Sequence, residues 1–293
     1  MTEPILFETQ GFIAKITLNI EKKLNALTGD LIFQLGSLLE EIAERGDIYV
    51  TLLTGNGRYF SSGADLASLG SGQGTEDQKR KYWLETRESY FSSSTKRCLS
   101  ALYLYANFSV ASHNMRNCKA FYEHPKILIA ALNGPVIGYP ACLIAFCDFV
   151  YAVEDAYLAT PFASLGLVAE GVSSFAFAQR MGLTKANEAL ILGKRISAPD
   201  LKQSGFLSCI FPKQLDSTAF HTLVLDKIRA DFGGTISKDS MLEIKRMIRQ
   251  PYMKTLDAQN LEEAMVGWRR FVKGVPQQHF RKVAEARKKG SKM

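Results

Sequence analysis

The chain has 293 residues, 46% of them hydrophobic and 22% charged, with a net charge of +7 and five cysteines. That is enough apolar material for one large α/β domain with a helical extension, and too much for wholesale disorder. No apolar run reaches the roughly 18 residues of a membrane span, the opening Met1-Thr2-Glu3-Pro4 lacks the regions of a secretion signal, and neither the odd set of cysteines nor the scattered histidines has disulfide or metal-ligand spacing. No membrane partner, metal site or redox framework is therefore expected. Much of the positive charge lies in the last quarter. It reads either as attraction to an acidic ligand such as a nucleotide phosphate or as a solvated helical surface. Without a zinc finger, an RNP motif or regular basic-aromatic interleaving, no nucleic-acid partner is expected.

In chain order, Phe12 to Leu18 is β-branched and partly alternating, a strand. Glu21-Lys22-Lys23-Leu24-Asn25-Ala26-Leu27 is a charged turn and a tucked segment. Thr28 then caps a helix whose apolar positions are Leu31, Leu35, Leu38, Leu39 and Ile42. Tyr49 to Leu53 is the next strand, followed by the turn Thr54-Gly55-Asn56-Gly57 and then Phe60-Ser61-Ser62-Gly63-Ala64-Asp65-Leu66. Strand, crossover helix, strand and glycine loop make the start of a βαβ unit. Residues 68–96 read as a mobile loop and charged helix inserted near the site, and 107–124 as a long helix with Val110, Asn114, Cys118 and Phe121 on one face.

The centre of the chain is an apolar strand, Ile127 to Leu132, that turns at Asn133-Gly134-Pro135 and again at Gly138-Tyr139-Pro140. A small-residue helix from Ala141 to Cys147 follows, with Tyr139 extended ahead of Pro140. The glycine turn leaves bare amides at a helix start, where they can hold an anion. Further on, Glu170 is a lone carboxylate in an apolar setting. Amide donors for a developing negative charge and one base are the minimum for moving a proton beside a carbonyl. Ser174 to Met181 reads as a helix ending at Gly182, Thr184 opens another, and Ile196 to Asp200 caps a short one. The chain divides into an α/β core over 1–212 that carries the site and a helical region over 213–293.

Four segments together resemble the crotonase (enoyl-CoA hydratase/isomerase) superfamily: Lys22 to Leu27, Phe60 to Leu66, Leu132-Asn133-Gly134-Pro135-Val136-Ile137-Gly138, and Cys147-Asp148-Phe149-Val150-Tyr151. Within it the likeness is nearest to the fungal peroxisomal Δ3,Δ2-enoyl-CoA isomerases, carried by Pro161 to Gly171. The resemblance implies an α/β fold, the ClpP/crotonase spiral of repeated ββα units with two nearly perpendicular sheets and a C-terminal helical trimerisation region. It implies an enzyme without a cofactor, its substrate carried as a CoA thioester, that shifts the double bond of 3-enoyl-CoA to trans-2-enoyl-CoA in β-oxidation of unsaturated fatty acids. Glu170 matches the base, and the Ala64 and Tyr139 amides match the oxyanion hole. Asn114 matches an amide that steadies the base. Lys22, Lys23, Ser62, Gly63, Ala64, Asp65, Leu66, Gly138 and Phe162 match substrate and CoA contacts, with Arg269, Arg270, Lys273 and Arg281 as further phosphate candidates. The two hydratase glutamates fall on Cys142 and Phe162, neither of which can activate water. The resemblance also implies a homotrimer or hexamer, and Ser291-Lys292-Met293 is similar to a peroxisomal import address read by an import receptor. Tyr139-Pro140 departs from the family pattern. It keeps open a specialised isomerase or hydratase acting on an unusual acyl-CoA, and a non-catalytic, RNA-binding member of the fold remains the rival from another class.

Overall fold

Gly11, at a left-handed φ of +62°, turns strand β1 (Ile5–Gln10) onto β2 (Ile13–Leu18) as an antiparallel hairpin. The computed structural model describes residues 3–65, 109–213 and 216–290. Strand β1 has no counterpart in the sequence reading, because its second half, Glu8-Thr9-Gln10, is polar, as an edge strand tolerates. Helix α1 (Gly29–Ala43) begins where expected, with Thr28 Oγ1 accepting from the Leu31 amide at 3.4 Å. It buries Ile32, Leu35, Leu39 and Ile42, while Leu31 and Leu38 lie half-buried at the edge of that face.

Strand β3 (Val50–Gly55), helix α2 (Ser109–Tyr122) and strand β4 (Ile127–Leu132) follow. The expected insertion at 68–96, the start of the long helix before Ser109, Leu66 and the C-terminal tripeptide all lie outside the described residues. Next come β5 (Val136–Ile137) and α3 (Tyr139–Leu143), then β6 (Phe149–Val153), β7 (Tyr157–Ala159) and α4 (Ser173–Leu190). Helix α3 starts two residues earlier than expected and passes into a tighter turn over Ile144–Phe146. Tyr139 is thus its first residue rather than an extended lead-in, and Pro140 sits inside the first turn, where its missing N–H costs nothing. Helix α4 is broken at Gly182 (φ +74°), as the two-helix reading requires.

The chain continues through β8 (Ile196–Ser197), α5 (Ala198–Gln203) and β9 (Cys209–Phe211). After β9 the described residues form helices only: α6 (Ser217–Phe232), α7 (Lys238–Arg249), α8 (Met253–Val272) and α9 (Val275–Gly290). The main sheet has the order β1-β2-β3-β4-β6-β9, and every pair after the first hairpin is parallel. Strands β2, β3 and β4 are buried along their whole length, which is why they read as near-continuous apolar runs. A second sheet has the order β5-β7-β8, and its β5 also bridges to Ser61 on the loop that follows β3.

Two asparagines knit that loop to its neighbours. Asn25 Nδ2 donates to the carbonyls of Asn56 (2.9 Å) and Tyr59 (2.8 Å), and Asn133 Nδ2 donates to those of Gly57 (2.8 Å) and Tyr59 (3.1 Å). A Cβ on Gly134 would collide with the Arg58 carbonyl, so the Asn-Gly-Pro turn needs that glycine for close approach. Two of the recognisable motifs therefore meet on one loop.

Candidate active site

The loop over residues 61–65 runs between the 24–27 segment and β5. Ser62 N donates to Leu24 O and Asp65 N to Leu27 O, while Ile137 N donates to Ser61 O. Gly63 (φ +98°) and Gly138 (φ +67°) lie against each other: a Cβ on Gly138 would stand 3.8 Å from Gly63 Cα, and one on Gly63 would stand 3.1 Å from Ile137 O. Each glycine precedes an amide, on Ala64 and Tyr139. Among the described residues neither amide donates within the loop network, whereas Ser62, Asp65 and Gly138 beside them do. Tyr139 opens α3, so its N–H is one of the helix's unpaired first donors. The turn thus brings two main-chain donors to neighbouring positions.

Glu170 lies on the loop between the turn at Ala163–Leu165 and α4, and it is half-buried. Burial pushes its carboxyl up to about 8, with the negative charge of Glu263 adding to the rise. Asn114 Nδ2 donates to Glu170 Oε2 at a long 3.4 Å. Tyr139 spans the gap between these parts. Its hydroxyl donates to the Asn114 carbonyl at 3.0 Å and sits 3.3 Å from Cys118 Sγ, and its ring packs beside Gly171. The bulky residue at this position therefore braces α2, α3 and the Glu170 loop against one another. Burial holds the Tyr139 hydroxyl and the Cys142 thiol far above their ordinary pKa values, so both stay neutral.

The remaining expected positions separate clearly. Cys142 is buried behind Gly171 with its Sγ 3.5 Å from Gly138 O, and Phe162 is buried at 2% exposure. Neither brings a carboxylate to Glu170. Lys22 is exposed. Lys23 forms an ion pair with Asp65 at 2.8 Å, which joins two candidate CoA-binding segments to each other. Ser62 is half-buried, with its hydroxyl on Lys23 O at 3.3 Å. Of the C-terminal basic residues, Arg270 Nε donates to Gly166 O at 2.7 Å, which ties it to the loop before Glu170. Arg269, Lys273 and Arg281 are exposed on α8, at its end and on α9.

Sequence reasoning missed Glu263, a buried carboxylate on α8 whose Oε1 accepts from Ser174 N at 3.0 Å and Ser174 Oγ at 2.5 Å. The sole sequence signal was an acid on the inner face of a helix. Among the described residues there is no cluster of metal-ligating side chains, and no helix is long and apolar enough to cross a membrane. The arrangement offers one carboxylate of high proton affinity and two adjacent amides. It is suited to taking a proton beside a carbonyl and returning it nearby.

The chain is similar to known proteins in sequence and in fold. The sequence profile of the enoyl-CoA hydratase/isomerase family matches residues 8–102 and 99–265. A Δ(3,5)-Δ(2,4)-dienoyl-CoA isomerase of Pyricularia oryzae is 39% identical, with 96% of each chain covered. The 3,2-trans-enoyl-CoA isomerase of Saccharomyces cerevisiae is 31% identical over 98% of this chain and 96% of its own. Among solved structures, Pseudomonas aeruginosa OdaA superposes with a TM-score of 0.76 at 23% identity, covering 96% of this chain and 99% of its own. An enoyl-CoA hydratase/isomerase from Pseudoalteromonas atlantica T6c superposes at 0.75 and 21% identity, covering 97% and 98%. The fold is that of the crotonases.

Proposed function

The chain belongs to the enoyl-CoA hydratase/isomerase family, and from that premise we propose that it is an enoyl-CoA isomerase that converts 3-enoyl-CoA to trans-2-enoyl-CoA. Glu170, ionised, takes a proton from C2. The charge that develops on the thioester oxygen is met by the Ala64 and Tyr139 amides, each such donor contributing about 3 kcal/mol or more. The dienolate is planar, so the same carboxyl, now protonated, delivers its proton to C4 on the same face. Burial raises the proton affinity of Glu170, which lets it hold the proton between the two steps. Lys23, Asp65 and Ser62 would line the approach of the CoA moiety, with exposed Lys22 available to its phosphates.

The observation that carries this reading is the pairing of one high-affinity carboxylate with two glycine-led amides; Cys142 and Phe162, which the resemblance matches to the two hydratase glutamates, carry no acid. The name of the 39% identical relative supports a second reading, a shift from a 3,5-diene to a 2,4-diene. That reaction takes the proton from C2 and places one on C6, twice as many bonds away as C4, which calls for a second acid; the other buried carboxyl beside Glu170, Glu263, is engaged by Ser174. Apolar side chains exposed on and just after α4 (Leu183, Ile191, Leu192) and on α7 (Ile244, Met247, Ile248) favour a homo-oligomer, trimer or hexamer. Ser291-Lys292-Met293 favours peroxisomal import.

The test is turnover of trans-3-hexenoyl-CoA and of 3,5-octadienoyl-CoA by the purified protein and by E170Q. The proposal expects the monoene to be isomerised and E170Q to lose about 10²- to 10⁴-fold in kcat. Turnover of the diene alone, or an E170Q variant as active as the parent, would overturn it.

A further inference from the structure

Helix α4 begins three residues after Glu170, and its first turn is held from outside by α8. Glu263 Oε1 accepts from both the amide and the hydroxyl of Ser174, and Gln259, one turn earlier on α8, donates its Nε2 to the same hydroxyl at 2.8 Å. The link between this clamp and Glu170 is unusually stiff. Ser173 N donates to Glu170 O at 3.3 Å, Gly171 has φ +70°, and Val172, fully buried, has φ +57°. A β-branched residue in the left-handed region is strained, and such strain persists only where the surroundings enforce it. Here the enforcing groups are the buried packing of Val172 and the α8 clamp on Ser174, two residues on.

We propose that Glu263 is a positioning residue for Glu170, fastening the strained Gly171-Val172 turn and placing a fixed negative charge at the start of α4. This rests on the reading of Glu170 as the acid–base group. Two effects follow. The amide-rich start of a helix carries partial positive charge, which would otherwise draw the proton off a nearby carboxyl; Glu263 neutralises it. Glu263 also acts on Glu170 as a like charge and favours its protonated form. The two acids divide the roles because their partners differ. Burial raises the Glu263 carboxyl too, but the Ser174 donors offset part of that rise, while Glu170 has one long amide contact and carries the proton. The other titratable groups around Glu170 are Cys118 on α2 and Tyr139 and Cys142 on α3, all held neutral by burial, so among the described residues Glu263 is the charge that acts on it.

The test is direct titration of the Glu170 carboxyl by infrared difference spectroscopy in the unliganded full-length protein, with E170Q as the blank, in the parent, E263Q and E263D. The amide of E263Q can still accept from Ser174, so the fold has the means to survive. The proposal expects the Glu170 midpoint to fall by about half a pH unit or more in E263Q and by less in E263D. The acid limb of kcat/KM should move with it, and KM should change little. A folded E263Q with an unmoved midpoint would overturn the proposal, even if its activity or melting temperature dropped, because a purely structural prop would produce those losses alone. Should E263Q not fold, an E263D midpoint identical to the parent would overturn it equally. The titration needs no substrate. A protein that titrates as expected yet isomerises nothing would contradict the functional reading and uphold this one.

Discussion

Glu170 holds a proton in the folded chain that the unfolded chain gives up, since its carboxyl is raised to about 8. The contribution of Glu170 to stability is therefore most favourable below the ordinary carboxylate range. It falls as pH rises toward 8, by about 1.4 kcal/mol per pH unit across that interval, and levels off above it. Thermal melts of the unliganded protein at pH 5 and pH 9 check this: E170Q should gain over the parent at the higher pH by a few kcal/mol and little at the lower. Equal differences at both would contradict it. Tyr139 makes a second prediction at this scale. Y139F removes the hydroxyl that donates to Asn114 O and meets Cys118 Sγ, a loss of about 1 kcal/mol. Steady-state kinetics should show kcat down several-fold with KM little changed, because the ring and the main-chain amide remain. Glu170, Gly63 and Gly138 were legible in the sequence because each sits in a short pattern with a chemical reason. Glu263 was not. Its partner Ser174 is 89 residues away, and no local pattern marks an acid that acts across two helices.

At the level of elements, the loop from Glu170 into α4 is tightly constrained. A Cβ on Gly171 would come within 2.8 Å of Cys142 Cβ and 3.3 Å of the Tyr139 ring, at a φ of +70°. Overpacking and a strained backbone together cost about 2 kcal/mol or more. G171A should lower the denaturation midpoint accordingly and reduce kcat/KM more than G182A, whose added Cβ meets nothing within 4 Å at a similar φ. Apart from the polar edge strand β1, the strands that sequence reasoning missed share one property. Strands β5, β7, β8 and β9 have two or three residues each, too few to show alternation. The long parallel strands and capped α1 were legible for the opposite reason: burial on both faces and a capping threonine leave marks in composition.

Across the whole molecule, the helical region is fastened to the sheet by buried charge. Asp148 binds Lys245 Nζ at 2.6 Å, Arg249 Nη2 at 2.9 Å and the Leu128 amide at 2.8 Å. Burial pushes the Asp148 pKa up, but Lys245 and Arg249 overcome it and hold the carboxyl below its usual range. The stability from this cluster is present above the ordinary carboxylate pKa and is lost as pH falls through the lowered one. K245M removes one partner from a buried carboxylate, at a cost of about 3 kcal/mol. Chemical denaturation should show that loss at neutral pH, and acid unfolding should begin at a higher pH than in the parent. The same fastening holds α8, and with it Glu263, in reach of α4.

Isomerisation by this site requires one carboxyl to carry one proton between two carbons. Single-turnover conversion of 3-hexenoyl-CoA deuterated at C2, in ordinary water, tests that most directly. If Glu170 holds the proton as its buried, high-affinity state implies, mass spectrometry of the product will find deuterium at C4 well above solvent background. A product whose new C4 hydrogen comes entirely from water would contradict it.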